Sequence, residues 1–151
     1  SNYPFNLKDT LLLRGGEDMG FRVGDVVLVQ GTAGQGVFLG TIHEVFEESA
    51  RMRTIFSGDL KVAVGIGESR EDALLLGGVN PRLTLIQKNA AIRGGDIVYV
   101  TQESIPYGIP VGHVENVIES KDQLFLESTI RFGYNPSQIR FVVVVPAVQD
   151  L

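Results

Sequence analysis

Phe21 to Val29 reads FRVGDVVLV, and Ile92 to Val100 reads IRGGDIVYV, 71 positions later. Each is a Gly-Asp pair followed by four apolar, mostly β-branched residues. That is the pattern of a tight turn feeding a buried strand. Working outward, Gly36 to Glu47 (GVFLGTIHEVFE) matches Gly108 to Glu119 (GIPVGHVENVIE) at an offset of 72. One inserted residue reconciles the two offsets. Upstream, Leu12 falls opposite Leu83; downstream, Leu60-Lys61-Val62 falls opposite Ile139-Arg140-Phe141. Ordered matches of this length imply a duplicated β-module, with residues 3–78 as the first copy and 79–148 as the second. Each copy holds five or six strands of ordinary length.

The expected fold is therefore all-β: two small related barrels of about six strands each, side by side, with strand exchange between them allowed. Closure is the natural end state because it removes exposed sheet edges. Lys61–Val64, Leu83–Ile86 and Arg140–Val145 read as further strands. Val142–Val145, apolar on both faces, is expected to be a central strand or to lie between two layers. Helical signal is confined to Glu68–Leu76 (ESREDALLL), where acidic residues lead and Gly77-Gly78 stops; a loop running into a strand fits the same residues.

Composition agrees. The 151 residues include 18 Gly, about 12% against a usual ~7%. The recurring ones, Gly24, Gly36 and Gly40 in the first copy and Gly95, Gly108 and Gly112 in the second, are read as turns and barrel corners. With 13 basic and 18 acidic residues the net charge is −5, which argues against a nucleic-acid partner. Cysteine is absent, so disulfides, thiol catalysis and thiolate metal sites are out. The longest apolar run, Phe141–Val148, is too short to span a membrane as a helix.

No cofactor, metal or catalytic site is expected. Gly31–Gly36 (GTAGQG) leads into a strand pattern rather than a helix and lacks the lysine of a phosphate loop. His43 and His113 fall at non-equivalent positions and alternate with apolar residues as outward strand positions do. No serine sits in a nucleophile-elbow context. The remaining feature is Ile105-Pro106-Tyr107-Gly108-Ile109-Pro110, an apolar loop between strands. Ile105, Pro106, Tyr107 and Ile109 are candidate partner-binding residues, unless the loop folds back as a plug.

Leu11–Val29 and Thr32–Val45 resemble the opening of the extracytoplasmic β-domain of the rod shape-determining protein MreC family. Gly95–Thr101 followed by Pro106–Val114 (PYGIPVGHV) resembles that family's most specific signature. The likeness covers about residues 10–146, departing at Gln102-Glu103-Ser104, where the loop is shorter. It implies two packed six-stranded barrels on the outer, periplasmic face of the bacterial cytoplasmic membrane, held there by an N-terminal helix and coiled coil that precede such domains. It implies a non-enzymatic scaffold of cell elongation and peptidoglycan synthesis. The implied partners are MreD, the actin-like MreB, the elongation transpeptidase and further copies of itself. A barrel adaptor from an envelope transport or membrane-fusion assembly, and a double-barrel hydrolase, are the alternatives that the residues leave open.

Overall fold

Among the described residues there are eleven strands: β1 (Thr10–Arg14), β2 (Val26–Gln30), β3 (Gly36–Val45), β4 (Ser49–Thr54), β5 (Lys61–Ile66), β6 (Glu71–Leu76), β7 (Arg82–Gln87), β8 (Ile97–Val100), β9 (Pro110–Glu119), β10 (Phe125–Arg131) and β11 (Val142–Val145). The structure, a computed structural model, describes residues 9–148. Strands β5 to β10 close into a six-stranded barrel in the order β10-β7-β6-β5-β8-β9. The other five form a sheet in the order β1-β4-β3-β2-β11. The fold is all-β with two related units, one closed and one a five-stranded half-barrel.

The units are equivalent in detail. Arg22 N–H donates to the Asp25 carboxylate at 2.9 Å, and Arg93 N–H to the Asp96 carboxylate at 3.0 Å. Gly24 and Gly95 sit at φ +95° and +93°, the left-handed region that glycine enters without a Cβ penalty. Their N–H groups donate to the Ile42 and Val114 carbonyls, both at 2.8 Å. A β-bulge follows in each copy. Val27 pairs with Gly40 but Leu28 with Phe38, leaving Leu39 extra; Val98 pairs with Gly112 but Tyr99 with Pro110, leaving Val111 extra. Both bulged residues are buried. Such a bulge bends its strand, which is what a barrel corner needs. At Gly40 and Gly112 an added Cβ would lie 1.8 Å and 2.6 Å from the carbonyl oxygens of Arg53 and Arg131. These two corners admit no side chain.

Strands cross the duplication boundary near residue 79. β5 and β6 precede it yet build the closed barrel, and β11 follows it yet pairs with β2. The connections are buried: Ile55, Phe56 and Leu60 link β4 to β5, and Phe132 on the way to β11 meets Phe56 edge-on at 5.9 Å. Alternation on β2 then acquires a purpose. Val26 and Leu28, with Phe38, pack into the barrel core, while Val27 and Val29 pack inside the half-barrel with Leu39, Ile42 and Met52. Equivalent strands β3 and β9 pack against one another at the junction.

Three expectations change. Glu71–Leu76 is strand β6, placing Ala73 and Leu75 inward between β5 and β7. Leu13, not Leu12, takes the place of Leu83: Leu13 is buried opposite Ala50 as Leu83 is opposite Ser128, whereas Leu12 is exposed. β11 is an edge strand rather than a central one, because no strand described lies on its other side.

Candidate partner-binding surface

The turn between β8 and β9 is built by backbone hydrogen bonds that divide its apolar residues. Ile105 N–H donates to the Gln102 carbonyl at 3.0 Å and Gly108 N–H to the Val100 carbonyl at 3.0 Å. Val100 N–H in turn donates to the Ile109 carbonyl at 2.8 Å. The base is fixed to β5, since Gln102 Oε1 accepts from Ala63 N–H at 2.9 Å and Thr101 N–H donates to the Ala63 carbonyl at 2.9 Å. Gln102 thus anchors the loop to β5.

This scaffold sends Ile105 inward, 5% exposed in the barrel core, with Ile109 half-buried against the same core. Ile105 is therefore removed from the candidate surface: a loop this short must plug the barrel mouth with one apolar residue. Pro106 is half-buried. Tyr107 is 66% exposed, and Gly108, at φ +88°, turns the chain back beneath it.

Sequence reading missed the second aromatic. Tyr99 on β8 lies 5.9 Å from Tyr107, ring centre to ring centre, at 59°. Its ring covers Gly65 of β5, where an added Cβ would meet ring atoms at 2.7 Å. The missing side chain at Gly65 is what lets the ring lie flat on the sheet. A signal existed, in that Tyr99 alternates with two buried valines and so had to point outward. Gly67, Glu68 and Arg70 complete a shallow depression around the two rings, with Arg70 held at φ +55°. Partial burial, then the neighbouring Tyr107 hydroxyl, push the Tyr99 phenol above its ordinary range. The two rings offer apolar faces with hydroxyl edges, the chemistry favoured at protein interfaces.

The histidines occupy separate places. His43 is the extra residue of a bulge between β3 and β4; burial, then Arg53, push its imidazole below the usual value. His113 lines an open groove with Ser69, Glu68, Arg93 and Asp96. No hydrogen bond joins Ser69, His113 and Asp96 there, and the Asp96 carboxylate is engaged by Arg93 N–H as its counterpart Asp25 is by Arg22. A nucleophile and base need mutual hydrogen-bond reach and an orienting partner. Among the described residues, no group of three or more potential metal ligands occurs.

The family described as "Rod shape-determining protein MreC, barrel core" matches residues 1–146. The chain belongs to the MreC family. MreC from Pseudomonas aeruginosa has a solved structure with a TM-score of 0.78 at 24% identity, covering 96% of this chain and 92% of that one. A solved major periplasmic domain of the cell shape-determining filament MreC gives 0.69 at 19% identity, covering 92% and 86%. An MreC fold also appears in a complex between penicillin-binding protein PBP2 and MreC from Helicobacter pylori, at 0.62 and 14% identity over 82% and 79%. No curated protein matches the sequence. The family is one of rod shape-determining proteins, and the all-β double unit agrees with the barrel core that its description names.

Proposed function

We propose that this MreC domain is a non-enzymatic scaffold of cell elongation, working on the periplasmic side of the cytoplasmic membrane. In this reading it organises peptidoglycan synthases by binding the elongation transpeptidase. The observation that carries it is the family match across residues 1–146, joined to a solved complex in which a relative of this fold holds a PBP2. MreD and MreB contact the same assembly, and further copies of the chain extend it. Localisation rests on a relative that is a periplasmic domain.

Tyr107 and Tyr99, with Pro106 at their flank, form the transpeptidase contact. Rigid aromatics on a barrel turn bring large area at small entropic cost, and such residues carry a disproportionate share of interface energy. Depleting the protein in its rod-shaped host is expected to round the cells, with wild-type protein restoring the rods. Unchanged width and shape on depletion would refute the scaffold reading.

A further inference from the structure

The two copies of the Gly-Asp turn differ in what crosses them. In the first copy both oxygens of the Asp25 carboxylate are engaged: Oδ2 accepts from Arg22 N–H at 2.9 Å and Oδ1 from Ala147 N–H at 3.2 Å. The chain after β11 lies across this turn as a strap, with the Ala147 Cβ 4.0 Å from where a Cβ on Gly24 would stand. Asp25 is buried beneath it. One residue on, Val148 N–H donates to the Ser104 carbonyl at 3.0 Å and fixes the far end of the strap.

The second copy repeats the turn and sends the chain elsewhere. Asp96 Oδ2 accepts from Arg93 N–H at 3.0 Å, while among the described residues no N–H donates to its Oδ1. Ladder pairing gives the reason. Val98 pairs with Ile66 as Val27 pairs with Val144, so Ser69 stands at the place of Ala147. Gly67, at φ +69°, bends the chain before it can cross the turn, and Arg70 N–H on the Gly67 carbonyl at 3.2 Å leads it into β6. A Cβ on Gly95 would meet nothing within 4 Å, and Asp96 is half-buried where Asp25 is buried. Asp96 thus lines an open groove of about 740 Å³, within the ~300–1,000 Å³ of ligand pockets in general. Ile92 and Ile97 give that groove its apolar wall, with Ile97 45% exposed, and Arg93, His113 and Glu68 give it a polar rim.

We propose that this groove binds an extended segment of another protein, whose backbone N–H donates to Asp96 Oδ1 as Ala147 N–H donates to Asp25 Oδ1. The first copy supplies the chemistry of the occupant. Its strap is Pro146-Ala147-Val148: a small residue over the turn glycine, with apolar neighbours on either side. The same pattern suits the second copy, where Gly95 leaves room for a small side chain and Ile92 and Ile97 meet the apolar ones. A carboxylate acceptor makes such a hydrogen bond stronger than one to a neutral oxygen. The chain's own strap is already bonded to Asp25 and to the Ser104 carbonyl, so the occupant is a different polypeptide. The groove shares Gly67 and Glu68 with the depression around Tyr99 and Tyr107, yet the bond to Asp96 stands whether or not those rings hold a transpeptidase.

The probe is acetyl-Val-Val-Pro-Ala-Val-Gln-amide, the chain's own sequence over residues 144–149. It is titrated to about 10 mM into the isotope-labelled 151-residue chain and followed by amide chemical shifts. Saturable shifts are expected at Gly67, at Arg93 to Ile97 and at His113. Methylating the alanine nitrogen of the peptide removes the donor and should weaken binding about tenfold or more. Asp96→Asn should weaken the unmethylated peptide similarly, because its one oxygen stays on Arg93 N–H and its amino group then faces the peptide N–H. The methylated peptide leaves the protein untouched and decides the matter if Asp96→Asn disturbs the turn. An absence of saturable shifts at about 10 mM overturns the proposal, as do shifts confined to Arg22–Asp25 or equal binding of the methylated peptide. Groove shifts that depend on protein concentration without peptide would give the site to a second copy and overturn it too.

Discussion

Substituting Gly40 with alanine adds one carbon at a place where the fold has no room for it. The new Cβ would lie 1.8 Å from the Arg53 carbonyl oxygen and 2.8 Å from its carbon, where real Cβ contacts keep 3.0 Å or more. The obstacle is backbone on a paired strand, so β4 must retreat by about 1.2 Å. Ladder bonds near 2.9 Å do not survive such a displacement. The pairing of Gly40 with Thr54 and the neighbouring Ile55 N–H bond to the Leu39 carbonyl are the ones exposed to it. Two lost bonds at ~1 kcal/mol each, with overpacking of ~1–3 kcal/mol, give a cost of about 3–5 kcal/mol. That is a large part of the ~5–15 kcal/mol of a typical domain. Gly112→Ala meets its obstacle at 2.6 Å and should cost less, about 1–2 kcal/mol. Gly58 has nothing within 4 Å of an added Cβ, so Gly58→Ala should stay within ~0.5 kcal/mol of wild type. Equilibrium urea unfolding measures all three, and Gly40→Ala should also melt roughly 6–20 °C lower. A Gly40→Ala protein as stable as Gly58→Ala would refute the barrel-corner account of the repeated glycines.

Tyr134→Phe should leave stability unchanged or raise it by up to ~1–2 kcal/mol in urea, because the Tyr134 hydroxyl is buried without a hydrogen-bond partner. Asp25→Ala should cost ~1–3 kcal/mol more than Asp96→Ala: buried Asp25 accepts from both Arg22 N–H and Ala147 N–H, tying the chain after β11 to the first copy, while half-buried Asp96 accepts from Arg93 N–H. His43 titrates lower in the folded state than unfolded, so its contribution to stability is present above the unfolded value of ~6.5 and is lost as the pH falls below it. The urea midpoint of His43→Gln should therefore fall less than that of wild type between neutral and mildly acidic pH.

Local chemistry made much of this molecule readable. The Gly-Asp turns, the bulge glycines and the strands beside them are set within a few residues of chain, and duplication repeated each signal. What resisted reading was decided by long-range pairing. Glu71–Leu76 has acids first and leucines after, as a helix start does, and six residues are too few for period two to outweigh period 3.6. Val142–Val145 is apolar on both faces because the half-barrel interior takes Val142 and Val144, while Val143 faces solvent at an edge. The candidate site was half legible. Exposed Tyr107 follows from a Pro-punctuated loop, but Ile105 is buried where Gln102 ties that loop to β5, and Tyr99 became a partner only once Gly65 cleared the space for its ring.

We propose that this domain works by holding a transpeptidase through its Tyr107 and Tyr99 surface. Calorimetric titration of the domain with the periplasmic part of the host's elongation transpeptidase tests it most directly. Wild type should bind, and Tyr107→Ala, folded to the same urea midpoint, should lose about thirtyfold or more, the ~2 kcal/mol of an interface hot spot. Equal affinity for wild type and Tyr107→Ala would contradict it.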